Sequence, residues 1–107
     1  VVMSLENARR RYIPMSETMF YILLSLTQER HGYGILQHVK TLTNGRITLG
    51  AGTAYSSLGK LESDGLIKSV REEQRRKIYL ITPLGNQILK EEAQRIAELY
   101  ENIKEQL

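Results

Sequence analysis

The chain has no cysteine, no tryptophan, two prolines and a single phenylalanine. Without cysteine, disulfides, thiolate metal centres and cysteine nucleophiles are all excluded. That fits a reducing compartment, and the expected location is the cytoplasm. No apolar run approaches the ~20 residues that a membrane-spanning helix needs, so no membrane partner is expected. The opening VVMSLENARRRYIPM has arginines but no apolar segment ahead of a small-residue cleavage site, and is not read as a secretory leader. Internal repeats, linkers and low-complexity segments are also missing.

What remains is a chain of 107 residues, the size of one domain around one core. Folding at this size buries about two-thirds of the unfolded surface, a margin that dimerisation would widen. The net charge of +3 is unevenly spread. Arg9, Arg10 and Arg11 form one basic cluster; Arg71, Arg75, Arg76 and Lys77 form a second, diluted by Glu72 and Glu73. Residues 83–107 carry three basic against five acidic side chains, a balance of −2. A basic front with an acidic end fits a polyanionic partner for one part of the molecule, although arginine runs are more often plain solvated surface.

Pro14 and Ser16 punctuate the entry to a dense apolar run, Met19, Phe20, Ile22, Leu23, Leu24 and Leu26. Ser16 is a helix cap, and a helix apolar nearly all round belongs at the centre of the core. Ile35, Leu36, Val39 and Leu42 repeat at helical spacing and stop at Asn44-Gly45. Ile47 and Leu49 alternate around Thr48, which predicts a short strand. A third helix covers 50–64, closed by Asp64-Gly65. LIKSVREE and RRKIYLIT, joined by a Glu-Gln-Arg tip, read as a β-hairpin. Thr82-Pro83 then opens a last helix, with Thr82 as cap and Pro83 at the first helical position. Along it Leu89, Ala93, Ile96, Tyr100, Ile103 and Leu107 are spaced 4, 3, 4, 3, 4, an a/d seam that needs a partner. A second copy of the chain is the expected one.

This order predicts a mostly α (α+β) fold, a winged helix-turn-helix with a long C-terminal dimerisation helix. The expected division is an N-terminal basic arm over 1–15, a DNA-binding unit over 16–82 and the dimerisation helix over 83–107. The arginines of the arm would pack on the partner's last helix or touch DNA, with no reason in the sequence to prefer either.

The third helix, GAGTAYSSLGKLESD, carries the functional reading. Ala54, Leu58 and Leu61 form its buried stripe; Thr53, Ser56, Lys60 and Ser63 face away, with Tyr55 on the flank. Short side chains would let the backbone approach a major groove, and hydroxyls bond to phosphates or base edges. Free N–H groups at its small-residue start would attract an anion. The plainer reading is a set of surface serines on a tightly packed helix, with Tyr55 filling a gap beside the hairpin. The arginine-bearing hairpin that follows favours nucleic acid.

His31-Gly32-Tyr33-Gly34-Ile35, Gly52-Thr53-Ala54-Tyr55, Leu61-Glu62-Ser63-Asp64-Gly65-Leu66-Ile67, and Tyr79-Leu80-Ile81-Thr82 with Gly85 occur in that order. Together, over residues 16–85, they resemble the PadR family of bacterial transcriptional regulators. The resemblance implies a homodimer that binds the double-stranded DNA of a palindromic operator, usually to repress, and that associates with the nucleoid when bound. It implies DNA contacts from Tyr33, Thr53, Tyr55, Ser56 and Lys60, and wing contacts from Arg75, Arg76 and Lys77. The dimer interface would comprise Leu89, Ala93, Ile96, Tyr100, Ile103 and Leu107. The chain departs from the family pattern at Ala54, Ser56 and Ile78, and it lacks the tryptophans between which some relatives hold flat aromatic drugs. A small aromatic effector is a further implied partner.

Other chemistry finds little support. His31 and His38 could share a helix face, but no third ligand stands with them, so no metal and no cofactor are expected. No serine is paired with a base and no carboxylate pair is isolated, so an enzyme is not expected. The competing class is a winged-helix protein-interaction module without DNA binding, which a hydrophobic outer face on the third helix would have favoured.

Overall fold

The computed structural model describes residues 3–107; Val1 and Val2, the start of the expected arm, lie outside the described residues. The elements are α1 (Leu5–Tyr12), α2 (Glu17–Ser25), β1 (Arg30–His31), α3 (Gly32–Leu42), α4 (Ala51–Asp64), β2 (Ile67–Glu73), β3 (Arg76–Ile81) and α5 (Pro83–Lys104). This is the mostly helical winged helix-turn-helix that the sequence predicts.

α2 starts where Ser16 Oγ accepts the Met19 N–H at 3.1 Å, and it buries Ile22 and Leu23 completely. Ile35 and Val39 of α3, Leu58 and Leu61 of α4 and Ile88 of α5 close around them. α3 is capped by His31, whose Nδ1 accepts the Gly34 N–H at 3.1 Å. It ends through Asn44 and Gly45, both with positive φ.

Two expectations are corrected. Residues 47–49 form no strand: the Ile47 N–H donates to Thr43 Oγ1 at 3.1 Å, and Ile47 and Leu49 pack singly against the core. The third strand of the sheet is β1, which pairs with β3 through Arg30↔Tyr79 and His31↔Ile78, giving the order β1-β3-β2. The second correction concerns the arm, whose residues 5–12 are α1. Ser4 caps it, and Ala8 and Tyr12 are buried. Within the chain, Arg9 Nε and Nη2 donate to Glu91 of α5 at 2.7 and 2.9 Å. The Tyr12 hydroxyl donates to Asp64 Oδ2 at 2.5 Å, and Arg11 reaches Oδ1 at 3.0 Å. Leu5, Ala8 and Tyr12, at i, i+3 and i+7, were the helical signal beneath the arginines.

α4 ends at Gly65, φ 86°, and the chain enters the hairpin. Ile67↔Ile81 through Glu73↔Arg76 pair antiparallel, with an irregularity between Ser69 and Arg71. The turn residues Gln74 and Arg75 both have positive φ, as a tight two-residue hairpin turn requires, although neither is glycine. Thr82 then opens α5, its Oγ1 accepting the Gly85 N–H at 3.1 Å. A methyl group on Gly85 would fall on the Leu66 carbonyl, so the helix can lie there only because the side chain is missing. One turn past the core, Glu92 is fully buried. It accepts the Met15 N–H at 3.0 Å and both arms of Arg95 at 2.7 Å.

Gly85→Ala should lower stability by about 1–3 kcal/mol, the usual cost of forcing atoms into a packed site, read from denaturant unfolding. A second expectation concerns acid. Burial alone would raise the pKa of Asp64, but hydrogen bonds from Tyr12 and Arg11 outweigh it and hold the carboxyl below its ordinary range. The hydrogen bonds from Arg9 hold Glu91 at about 2, and Arg95 likewise lowers Glu92. A depressed carboxylate contributes stability above its unfolded pKa, roughly 4, and loses it as pH falls through the folded value. Asp64→Asn should therefore be less stable than wild type near neutrality, with the gap narrowing as the medium is acidified below that value. A gap constant across the titration would contradict it.

Candidate nucleic-acid interface

α4 turns Ala54, Leu58 and Leu61 inward, each essentially fully buried. Gly52, Thr53, Ser56, Gly59, Lys60 and Ser63 are exposed on the rest of its circumference. Its N-cap, Gly50, makes no side-chain cap bond, so the first-turn N–H groups lack a capping side chain. A methyl group placed on Gly50, Gly52 or Gly59 would meet nothing within 4 Å. Packing inside the chain therefore gives no reason for glycine at these three positions. Every residue of the outward face is small or hydroxylated except Lys60.

Tyr55 is half exposed, and its ring lies across the start of α3. A methyl group on Gly32 would come within 2.5 Å of the Tyr55 hydroxyl and 2.7 Å of its ring carbons. The glycine before Tyr33 and the tyrosine of α4 are thus two halves of one contact. Together with Tyr79, Arg75, Arg76 and Lys77 they line a cleft of about 250 Å³ between the helix pair and the wing.

The structure brings Tyr55, Arg75, Arg76 and Lys77 to this one cleft, with Thr53 and Ser56 exposed on the same helix as Tyr55. Tyr33 is half exposed but lines a neighbouring cleft with Gln37, Lys40 and Thr48. Lys60 leans back over the chain, its Nζ 5.5 Å from the centre of the Tyr12 ring. Lys77 Nζ lies 3.9 Å from Glu62. Arg71 is taken up by Glu29 and Glu73. Arg10, Arg75 and Arg76 make no ion pair among the described residues. The two histidines have separate structural duties. His31 caps α3, and His38 Nδ1 lies 2.8 Å from Ser25 Oγ. The Ser25 proton goes to the Tyr21 carbonyl at 2.8 Å, so the imidazole is the donor, and burial lowers its pKa. No cluster of metal-ligating side chains occurs among the described residues, and no helix there is long and apolar enough to cross a membrane.

Along α5, Leu89 is buried inside its own chain and is not free to meet a partner. Ala93, Ile96, Tyr100, Ile103 and Leu107 are exposed. Leu99, 47% exposed, joins them and was passed over because the 4-3 spacing was counted through Tyr100. Tyr79 was also missed: its position two residues after Lys77 on β3 was the available signal, since alternate strand residues share a face.

With the geometry in place, comparison with known proteins gives a consistent result. The model of the transcriptional regulator PadR-like family matches residues 21–91. Transcriptional regulator YqjI of Escherichia coli K12 is 31% identical over 97 residues, 90% of this chain and 47% of that protein. An uncharacterised 37.1 kDa protein from a Streptomyces fradiae transposon is 33% identical over 69 residues, 64% of this chain and 19% of its own length. The chain thus spans less than half the length of these two curated relatives. Among solved structures, a transcriptional regulator from Clostridium thermocellum is 26% identical with a TM-score of 0.69, covering 92% of this chain and 96% of that one. A PadR family regulator from Eggerthella lenta is 25% identical with a TM-score of 0.68, covering 94% and 86%. The family match includes the cleft-lining Gly32, Tyr55 and Tyr79, the outward face of α4 and the wing. The chain belongs to the PadR-like family, whose members are transcriptional regulators and not enzymes.

Proposed function

We propose that the chain binds double-stranded DNA at a palindromic operator as a homodimer and acts there as a repressor, in the bacterial cytoplasm and on the nucleoid. The observation that carries the reading is the pair Gly52 and Gly59. A glycine inside a helix costs about 1 kcal/mol relative to alanine, and these two stand in open space where no neighbour demands them. A surface kept bare at a cost to stability is explained by something that approaches it from outside. Thr53 and Ser56 beside them supply short donors for phosphates or base edges, and Tyr33, Tyr55, Lys60, Arg75, Arg76 and Lys77 flank that surface.

The exposed stripe Ile96, Leu99, Tyr100 and Ile103 supports the dimer. A two-fold axis along α5 would present two copies of α4 to successive half-sites, about 34 Å apart on B-DNA. A groove of about 440 Å³ beside the stripe, lined by Met15, Phe20, Tyr21, Ala93 and Ile96 among others, is where a small aromatic effector would press on the dimer.

Gly59→Ala should raise the unfolding midpoint, by about 1 kcal/mol of stability, while weakening affinity for an operator duplex in fluorescence anisotropy. Arg76→Ala should weaken binding on every sequence and reduce the salt slope by roughly 1. A protein-interaction module would instead show no salt-sensitive DNA binding in an intact dimer. Separately, Ile96→Asp or Ile103→Asp should sediment as a monomer; wild-type sedimentation of both would remove the seam from the argument.

A further inference from the structure

Tyr79 is the residue of the cleft that neither packing nor the sequence pattern explains in full. It sits in the central strand β3, opposite Arg30 on one side and Ser69 on the other. The residue is 8% exposed and its ring belongs to the core. Its hydroxyl has no hydrogen-bond partner among the described residues, and since every fully buried side-chain polar atom there is partnered, this oxygen is open to water. A tyrosine with a buried ring and a wet hydroxyl holds a donor at a fixed place where a ligand can take it. This one ends in the cleft of Gly32, Tyr55, Arg75, Arg76 and Lys77, with no carboxylate among the lining residues.

We infer that this cleft holds a phosphate group, with the Tyr79 hydroxyl as a fixed neutral donor at its floor and the wing cations at its rim. The inference rests on the DNA-binding reading above and assigns the phosphate to the DNA backbone. The volume, about 250 Å³, is below the roughly 300–1,000 Å³ of pockets that enclose drug-sized ligands. Its chemistry is that of an oxyanion site, two phenols and three cations beside the start of α3, whose helix dipole adds positive potential. Burial raises the pKa of Tyr79, and Glu62 and Tyr55 raise it further, so the phenol stays protonated and donates. Glu62 is held toward Lys77 and does not line the cleft. Because the tyrosine is anchored by its buried ring, its donor is already in place before the ligand arrives, unlike the exposed arginines at the hairpin tip.

The test is Tyr79→Phe in the full chain, which deletes one oxygen and keeps the ring. Binding to an operator duplex and to a random duplex is read by fluorescence anisotropy over a salt series. The expected result is affinity about tenfold weaker on both, the scale of one lost hydrogen bond to a charged oxygen. The salt slope should be unchanged, because no cation is removed. Gly32→Ala, which pushes the Tyr55 ring from the cleft wall, should weaken both duplexes in the same way. Wild-type affinity of Tyr79→Phe on both duplexes overturns the inference, as does a loss confined to the operator, which would make Tyr79 a base reader. If the wild-type chain binds no duplex at all, the DNA-binding reading fails by itself, and titration with inorganic phosphate decides the cleft. Amide shifts at Gly32 and Tyr55 that vanish in Tyr79→Phe would keep the phosphate site for a free phosphorylated ligand; their absence in wild type would end it.

Discussion

The hydroxyl of Thr82 joins the three elements on which the molecule's work depends. It donates to the Gly65 carbonyl at 2.6 Å, at the end of α4, and accepts the Gly85 N–H at 3.1 Å, at the start of α5. Its own backbone N–H donates to the Leu66 carbonyl at 3.0 Å, where the chain enters the wing. Helix, wing and final helix are thereby tied within a few residues. The contact is possible only because Gly65 takes a left-handed conformation and Gly85 has no side chain to strike Leu66. The sequence motif Asp64-Gly65-Leu66 and the distant Thr82 with Gly85 are one junction, built once in space.

A second constraint is the sorting of charge. The two basic clusters look alike in the sequence, yet their partners separate them. Arg9 and Arg11 are taken by Glu91 and Asp64 and fasten α1 to α5 and α4. Arg71 is taken by Glu29 and Glu73 at the base of the wing. Arg75 and Arg76 remain without ion pairs among the described residues, at a turn where Gln74 and Arg75 have positive φ. An exposed ion pair adds little stability, so the fastening role is modest in energy. Of the guanidinium groups left without ion pairs, Arg10 stays on α1, while Arg75 and Arg76 stand on the wing and face the same cleft as Tyr55.

Much of this was legible in the residues. Local chemistry located α2, α3, α4 and α5 with their caps, because Ser16, Thr82 and Pro83 act on their immediate neighbours. The hairpin was legible for the same reason. What escaped was decided by distant partners. α1 lay hidden beneath three arginines, and its stability comes from Asp64 and Glu91, far along the chain. The strand expected at 47–49 failed because the edge of β3 was occupied by Arg30 and His31, and a strand needs an edge to pair with. Glu92 would read as a solvent residue on the charged side of α5, yet Arg95 and the Met15 N–H let it be fully buried. Leu89 fits the seam by spacing, but the core reaches further along α5 than periodicity alone can show.

The glycines give the clearest separation of fold from function. Gly85 and Gly32 are crowded: one is pressed by the Leu66 backbone and the other by the Tyr55 ring. Their reasons lie inside the chain, since a methyl group at either has to displace something. Gly52 and Gly59 are open, and nothing in the same molecule accounts for them. Helix propensity argues against glycine at both, so the local sequence and the intrachain structure disagree at these two positions. Disagreement of this kind, on the exposed face of a helix flanked by a cationic wing, is the physical content of the proposed interface. The same distinction applies to the two tyrosines of the cleft. The ring of Tyr55 is explained by Gly32, and the ring of Tyr79 by the core; only their hydroxyls are left over, and both lie in the same cationic cleft.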